Sequence, residues 1–491
     1  MFNLIKSLTK NEKKLFRESL KKSSEPKLYL QLFNKLDIQS NHQKSEVKQY
    51  FDNKANQIPV IKIYLQRIIL KFLKNYHQEQ TSQSKLFNNF LEIEILLSRE
   101  LFDLAEFEIE KTLTLARNSE LLIPLLQAIE FKKQFLIKKF GPSSDLIKKS
   151  LVESIEEQNS LLEKIYNLYQ YQEIQATFYD QFQQTSGLSN TIYTTLTKNP
   201  LLTSDKAPLS TQAHLLKAEL LYNLNIYKDK NWFEAEEAIK KGIRHLELNP
   251  ESIKEFPENY LHLLNQLLEL KIQSRQLQDI TPLLQKIRNS SKTYHFESRL
   301  PALKHHLLEA YRLELQIYQA QNNYQAALSL IKEIEKEYDQ LESPYLKEWK
   351  VLLDQEIAKT HLQNNQLHAA QEKFQQVIDS PHARRELDTL FSAYFLSCLT
   401  YLKQKNLLGL RSLLKKLEAD LKTNKKPDKV EKQILKLFHL LPTHLHIARR
   451  HPQLIKQIEA IKLASEKSSH NHQEILEWLE NTFMLELEQH K

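Results

Sequence analysis

"QAQNNYQAALSLIKEIEKEYD" (residues 319–339) is the stretch on which the fold turns. A polar Asn-Asn pair precedes Tyr324, Ala327, Leu328, Ile331, Ile334 and Tyr338, which step by three or four and therefore share one helical face. The preceding "LKHHLLEAYRLELQIYQAQ" (303–321) has helical character too, so the spacing predicts two helices joined by a tight turn at Asn322 and Asn323. Ala327 supplies a small side chain where paired helices come closest. "LQNNQLHAAQEKFQQVIDSP" (362–381) repeats the plan, with Leu367, Ala370, Phe374 and Val377 in the equivalent places.

With the alanine as anchor, further copies emerge. Trp232, Ala235, Ile239 and Gly242 form one, and Phe102, Ala105, Ile109 and Thr112 another. Leu277, Ile280, Leu284 and Ile287, and Leu407, Leu410, Leu414 and Leu417, keep the stripe but lose the small residue. From anchor 235 onward the copies are spaced by 45, 47, 43 and 40 residues. The 130 residues between anchors 105 and 235 correspond to about three such periods. A helix pair cannot cover its own apolar stripe, whereas stacked neighbours bury a continuous core. A non-repeating helical bundle would carry similar stripes and is the alternative reading.

The pattern of an aromatic residue, an alanine three later and apolar residues beyond resembles the tetratricopeptide repeat (TPR). That resemblance implies an all-α fold, an α-solenoid of TPR-like helix pairs with a period of about 40–47 residues. The glycine usual before the second helix is replaced by Lys230, Asn322 or Asn365, and asparagine tolerates the left-handed conformation a helix end needs. A second resemblance rests on "SLTKNEKKLF" (7–16), "PKLYLQLFNKL" (26–36), "KIYLQRIILKFLKNYH" (62–77) and "LEIEILLSRELFDLAEFEIEKTLTLA" (91–116). These segments look like the opening of a group of uncharacterised bacterial TPR-like helical proteins with a basic N-terminal helical segment. It implies an architecture and transfers no site.

The chain reads as three parts. Residues 1–80 form a basic helical head, in which Thr9 and Glu12 make a capping-box pair and helices cover 26–37, 45–52 and 58–76. Residues 86–424 form the repeat body, with "GPSSD" (141–145) and "KNPLLTSDKAPLST" (198–211) as loops. Residues 425–491 form C-terminal helices that cap the array; "TNKKPDK" (423–429) and "LLPTH" (440–444) interrupt them, and the last helix starts near His472.

Composition points the same way. Four glycines in 491 residues leave almost no room for hairpins or phosphate-cradling loops. The most apolar run, "IPVIKIYLQRIILKFL" (58–73), is broken by Lys62, Arg67 and Lys71 and reads as an amphipathic helix. Cys398, the single cysteine, lies in an apolar run and suits a reducing compartment, so the cytoplasm is the expected location. Residues 1–75 carry sixteen Lys/Arg against six Asp/Glu, and residues 400–456 carry fourteen against four, so two basic regions flank an acidic body.

Little in this chain points to catalysis. No phosphate loop, His-Glu-x-x-His or Cys-x-x-Cys motif occurs, and no cofactor is expected. His439, His444, His446 and His451 are the nearest thing to a metal constellation, yet no carboxylate accompanies them. His305 and His306, adjacent and diverging by about 100° on a helix, read as surface or packing residues. Glu333 and Glu337 suit exposed i,i+4 pairs with nearby lysines. The expected function is a non-enzymatic interaction scaffold that holds a segment of a protein partner on a concave surface lined by the first helices, for which "LLEAYRLELQIYQAQ" (307–321) is the candidate. The alternative is a nucleic-acid-associated regulator contacting phosphates through Lys10, Lys13, Lys14, Arg17, Lys21 and Lys22 of the head, with the array as its partner-binding module.

Overall fold

A computed structural model describes residues 1–22, 27–39, 57–142, 144–185, 190–206, 208–226, 231–278, 280–296, 300–338, 346–385, 387–424, 429–444, 456 and 459–461. Every regular element among them is helical. None of these helices is long and apolar enough to cross a membrane. The described residues form two compact units, one running from Met1 to Leu307 and the other beginning at Leu308.

The first unit opens with α1 (Phe2–Ser7), α2 (Lys10–Lys22), α3 (Lys27–Ile38) and α4 (Ile58–His77). The capping box closes as expected: the Glu12 N–H donates to Thr9 Oγ1 at 3.2 Å, and the Thr9 N–H donates to Glu12 Oε2 at 2.7 Å. The other Glu12 oxygen lies 2.7 Å from His77 Nε2, which ties the start of α2 to the end of α4. Phe16, Phe33 and Phe72 fill the space between the helices, with ring centroids 4.8 and 5.3 Å apart. The expected helix at 45–52 lies outside the described residues.

Beyond the head come α5 (Ser82–Ser98), α6 (Phe102–Asn118), α7 (Leu122–Phe140), α8 (Lys148–Thr185), α9 (Asn190–Thr197) and α10 (Pro200–Thr203). They are followed by α11 (Thr211–Leu224), α12 (Trp232–Glu247), α13 (Pro250–Glu255), α14 (Pro257–Gln273) and α15 (Ile280–Thr293). Next come α16 (Leu300–Ala320), α17 (Tyr324–Tyr338), α18 (Lys347–Gln363), α19 (Leu367–Asp379), α20 (Leu387–Lys403), α21 (Leu407–Asn424) and α22 (Lys429–His444). Most pack on their sequence neighbours, so the contacts are predominantly local.

Each of the six anchored stripes lies on a helix: α6, α12, α15, α17, α19 and α21. The anchor is buried in all six, and Ala105, Ala235, Ala327 and Ala370 are fully enclosed. So are the positions four and seven beyond, from Ile109 and Thr112 through Leu414 and Leu417. Gly242 occupies the last of these places in its copy, because a Cβ there would stand 2.9 Å from Ala218 Cβ and 3.1 Å from Leu263 Cδ1. Ala218 of α11 and Leu263 of α14 thus close on α12 at Gly242.

The turns repeat as strictly as the stripes. Glu100, Arg275, Asn322, Asn365 and Lys405 all have φ between 53° and 57°, and each stands five residues before its anchor. Around Asn322 the Asn323 N–H donates to the Tyr318 carbonyl at 2.9 Å and the Asn322 N–H to Gln319 at 3.0 Å. This paired pattern is a Schellman cap, and the same two bonds close the other four turns. Asn322 is thus the left-handed residue, while Asn323 caps the next helix by accepting the Ala326 N–H at 3.3 Å. In the copy at 364–366 the left-handed residue is the second asparagine, Asn365. Lys230 lies outside the described residues.

Three expectations change. The interval between anchors 105 and 235 does not hold further pairs of the same design among the described residues. It holds α8, a single helix of 38 residues, because "KKSLVESIEEQNSLLEKIYNLYQYQEIQATFYDQFQQT" contains no proline or glycine to end it. Pro442 does not interrupt the C-terminal region either, since α22 continues through it to His444 and carries it in the last turn. The short helix α1, before the capping box, is an addition the sequence reading did not include.

Candidate functional site

The six basic residues proposed for phosphate contact have different surroundings. Lys13 Nζ lies 2.8 Å from one Asp37 oxygen, and the Arg17 guanidinium pairs with the other. Arg17 Nε also donates to Asn34 Oδ1 at 2.9 Å, and its head group lies over the Phe33 ring. These two cations hold α2 against α3. Lys10, Lys14 and Lys21 are exposed, and at about 100° per residue they fall on one edge of α2. The side chain of Lys22 lies outside the described residues. Asp37 is twenty residues from Arg17, and no local pattern in the sequence links them.

Tyr311, Gln316, Tyr318 and Gln319 of 307–321 are engaged within the second unit, while Gln321 is exposed. Gln319 Nε2 donates to Thr360 Oγ1 at 2.9 Å and to the Glu356 carbonyl at 3.1 Å. Gln316 Nε2 donates to Glu356 Oε1 at 3.2 Å, and the Tyr318 hydroxyl to Glu314 at 2.8 Å. Their partner α18 is buried on all sides from Leu353 to Thr360, although Asp354, Gln355, Glu356, Lys359 and Thr360 are polar. Burial opposes the charge of Glu356, but Lys359 at 3.0 Å and the Arg312 charge outweigh it and hold the carboxyl below its ordinary range. First helices α16 and α18 are therefore joined by polar contacts.

A cavity of about 330 Å³ lies between α11 and α12 in the first unit. Asp205, His214, Lys217, Lys241, Arg244 and His245 line its polar side. Lys217 is nearly enclosed and donates to the Ser204 carbonyl at 2.7 Å, while Asp205 stands 3.9 Å from Lys217 and 3.8 Å from Lys241. Burial lowers the Lys217 ammonium and both imidazoles, which stack with ring centroids 4.2 Å apart. Asp205 thus stands beside two of the three basic side chains. Its residues come from a loop and two helices, so no local run of sequence announces the cavity.

Of the C-terminal histidines, His439 lies on α22 with Nε2 2.7 Å from Glu418 Oε1 of α21, so a carboxylate does accompany it. His446, His451 and the side chain of His444 lie outside the described residues. Cys398 is fully enclosed, and burial pushes its thiol up.

The exposed apolar side chains concentrate on α4 to α8. On α5 the buried positions Leu86, Ile93 and Leu97 fill one face. Phe87, Leu91 and Ile95, four apart, form a second stripe on the opposite face and are 59%, 55% and 42% exposed. On α4, Val60, Ile63 and Tyr64 are exposed opposite Ile58, Ile61, Leu65 and Ile69. These two helices are apolar on both sides. Periodicity alone does not separate a buried stripe from a second exposed one, so the sequence does not mark these residues.

No family model matches the chain, and no curated protein and no solved structure matches it either.

Proposed function

We propose that the chain is a non-enzymatic protein-interaction scaffold built of TPR-like helix pairs, which holds an amphipathic helical segment of a partner protein. The observation that carries this reading is the second apolar stripe of α5, Phe87, Leu91 and Ile95, facing away from the helix's own core. Apolar side chains exposed at helical spacing suit a partner helix that lays its own apolar face along them. The repeating capped turns support the repeat assignment, with successive pairs stacking in the manner of a solenoid. The polar faces of α16 and α18 bind each other, so the partner surface is assigned to the stripe on α5 and not to residues 307–321.

The test compares the chain with a Phe87→Ser/Leu91→Ser variant. Both positions are exposed, so stability should change by less than about 0.5 kcal/mol for each. Crosslinking in the native cell should recover a reproducible partner with the unaltered chain and lose it with the variant. Recovery of the same partners by both would remove the stripe from the interface.

One observation favours the nucleic-acid reading as a second possibility: Lys10, Lys14 and Lys21 stand exposed along one edge of α2. On that reading the full chain shifts duplex DNA or RNA at roughly 50 mM salt. Changing the three lysines to glutamine should then weaken binding and flatten its salt dependence. A chain that shifts neither nucleic acid at that salt leaves the lysines as solubilising charge.

A further inference from the structure

Glu258 and His262 lie four residues apart on α14 and therefore on one helical face. Across from them, α16 presents His305 and His306. The two imidazoles do not diverge as neighbouring positions on a helix suggest. Their rings lie 3.9 Å apart, centroid to centroid, and both residues are buried. Neighbouring Cβ directions differ by about 100°, but rotation about χ1 and χ2 turns both rings toward α14. One donor atom each from Glu258, His305 and His306 falls within 4.8 Å of the others. The His262 ring centroid is 6.1 Å from that of His306.

A second observation points to a ligand here. His306 Nε2 is enclosed and meets no hydrogen-bond partner, although only 7% of the residue is exposed. Two more enclosed atoms on α14, Asn265 Oδ1 and Gln266 Oε1, also lack one. Asn265 Nδ2 donates to the His306 carbonyl at 2.9 Å, which fixes the backbone that carries the imidazoles. An enclosed polar atom with no partner has lost its water without replacement, so a native chain that keeps one calls for an explanation.

We infer that Glu258, His305 and His306, with His262 as fourth donor, form a site for a divalent transition metal of the zinc class that bridges α14 and α16. Imidazole nitrogens with one carboxylate suit zinc, cobalt or nickel, whereas calcium and magnesium require mostly oxygen donors. In a tetrahedral zinc site neighbouring donors stand about 3.3 Å apart, given bond lengths near 2.0 to 2.1 Å. Glu258 is exposed, so rotation of its side chain supplies most of the adjustment. All four residues belong to the first unit.

The test uses the full chain stripped of metal with a chelator and titrated with Co²⁺, then with Zn²⁺. Visible cobalt absorption should saturate at one equivalent and disappear as zinc displaces it. Glu258→Ala should weaken cobalt binding at least tenfold with unchanged helicity and melting temperature, because the residue is exposed. His306→Gln should abolish the one-equivalent step, and Glu258→Ala keeps the test decisive should that buried change unfold the chain. An absence of saturation at one equivalent overturns the assignment. So does equal affinity in the chain and the Glu258→Ala variant, which would mean adventitious binding by surface histidines only.

Discussion

Replacing Glu356 by alanine should destabilise the second unit by about 3 to 5 kcal/mol, the range for removing one partner of a buried ion pair. Glu356 and Lys359 are almost wholly enclosed on α18, and the carboxylate accepts from Lys359 Nζ at 3.0 Å and from Gln316 Nε2 at 3.2 Å. The substitution removes the negative charge and leaves the ammonium buried. Losing that charge costs more than losing the contact itself, since the ammonium stays in surroundings that largely shield it from water. A Glu356→Gln/Lys359→Met double variant, which removes both charges at similar volume, should recover most of the loss. Denaturant unfolding of the three chains measures this directly. Equal losses in the single and double variants would mean that packing, not charge, sets the cost. The pH dependence has a definite sign. The folded carboxyl is held below its unfolded range, so this contribution is present above the ordinary glutamate range, near pH 4.3, and is lost as pH falls through the lower folded value.

The same network shows what a one-dimensional pattern leaves out. The apolar face of every anchored helix was legible, because a stripe with steps of three and four residues depends only on helix geometry. Ala105, Ala235, Ala327 and Ala370 are all fully buried for that reason. The left-handed turn was legible where asparagine marks it, at Asn322 and Asn365. Glu100, Arg275 and Lys405 adopt the same conformation without a residue that favours it, so there the cap bonds and stacking impose what composition does not announce. Glu356 and Thr360 on α18 are polar, yet Gln316 and Gln319 of α16 cover them, and only the three-dimensional pairing reveals it. The histidine cluster was missed through a related error. Separation of Cβ directions was taken as separation of rings, and side-chain torsions undo it. Asp37 likewise claims Lys13 and Arg17 from another helix, so a basic run in sequence becomes a smaller set of exposed cations.

Replacing Ala327 by leucine should cost about 1 to 3 kcal/mol, the usual range for extra carbons forced into a filled site. Ala327 has no exposed surface and lies in one cluster with Leu308 and Leu315 of α16, Leu330, Ile331 and Ile334 of α17, and Leu353 and Ile357 of α18. Three additional carbon atoms have no cavity to enter there, so either α16 or α18 must move away. The turn provides the control. Asn323 is exposed, and its side chain accepts the Ala326 N–H, a role aspartate fills equally well. Asn323→Asp should therefore stay within about 0.5 kcal/mol, while Asn323→Ala, which removes the cap, should lose about 1 kcal/mol. Urea melts of the three variants rank them. A neutral Ala327→Leu would mean that α16 and α17 do not meet at the anchor. Because five of the six copies share the capped turn that sets up this meeting, the repeat assignment, and with it the scaffold reading, would fall together.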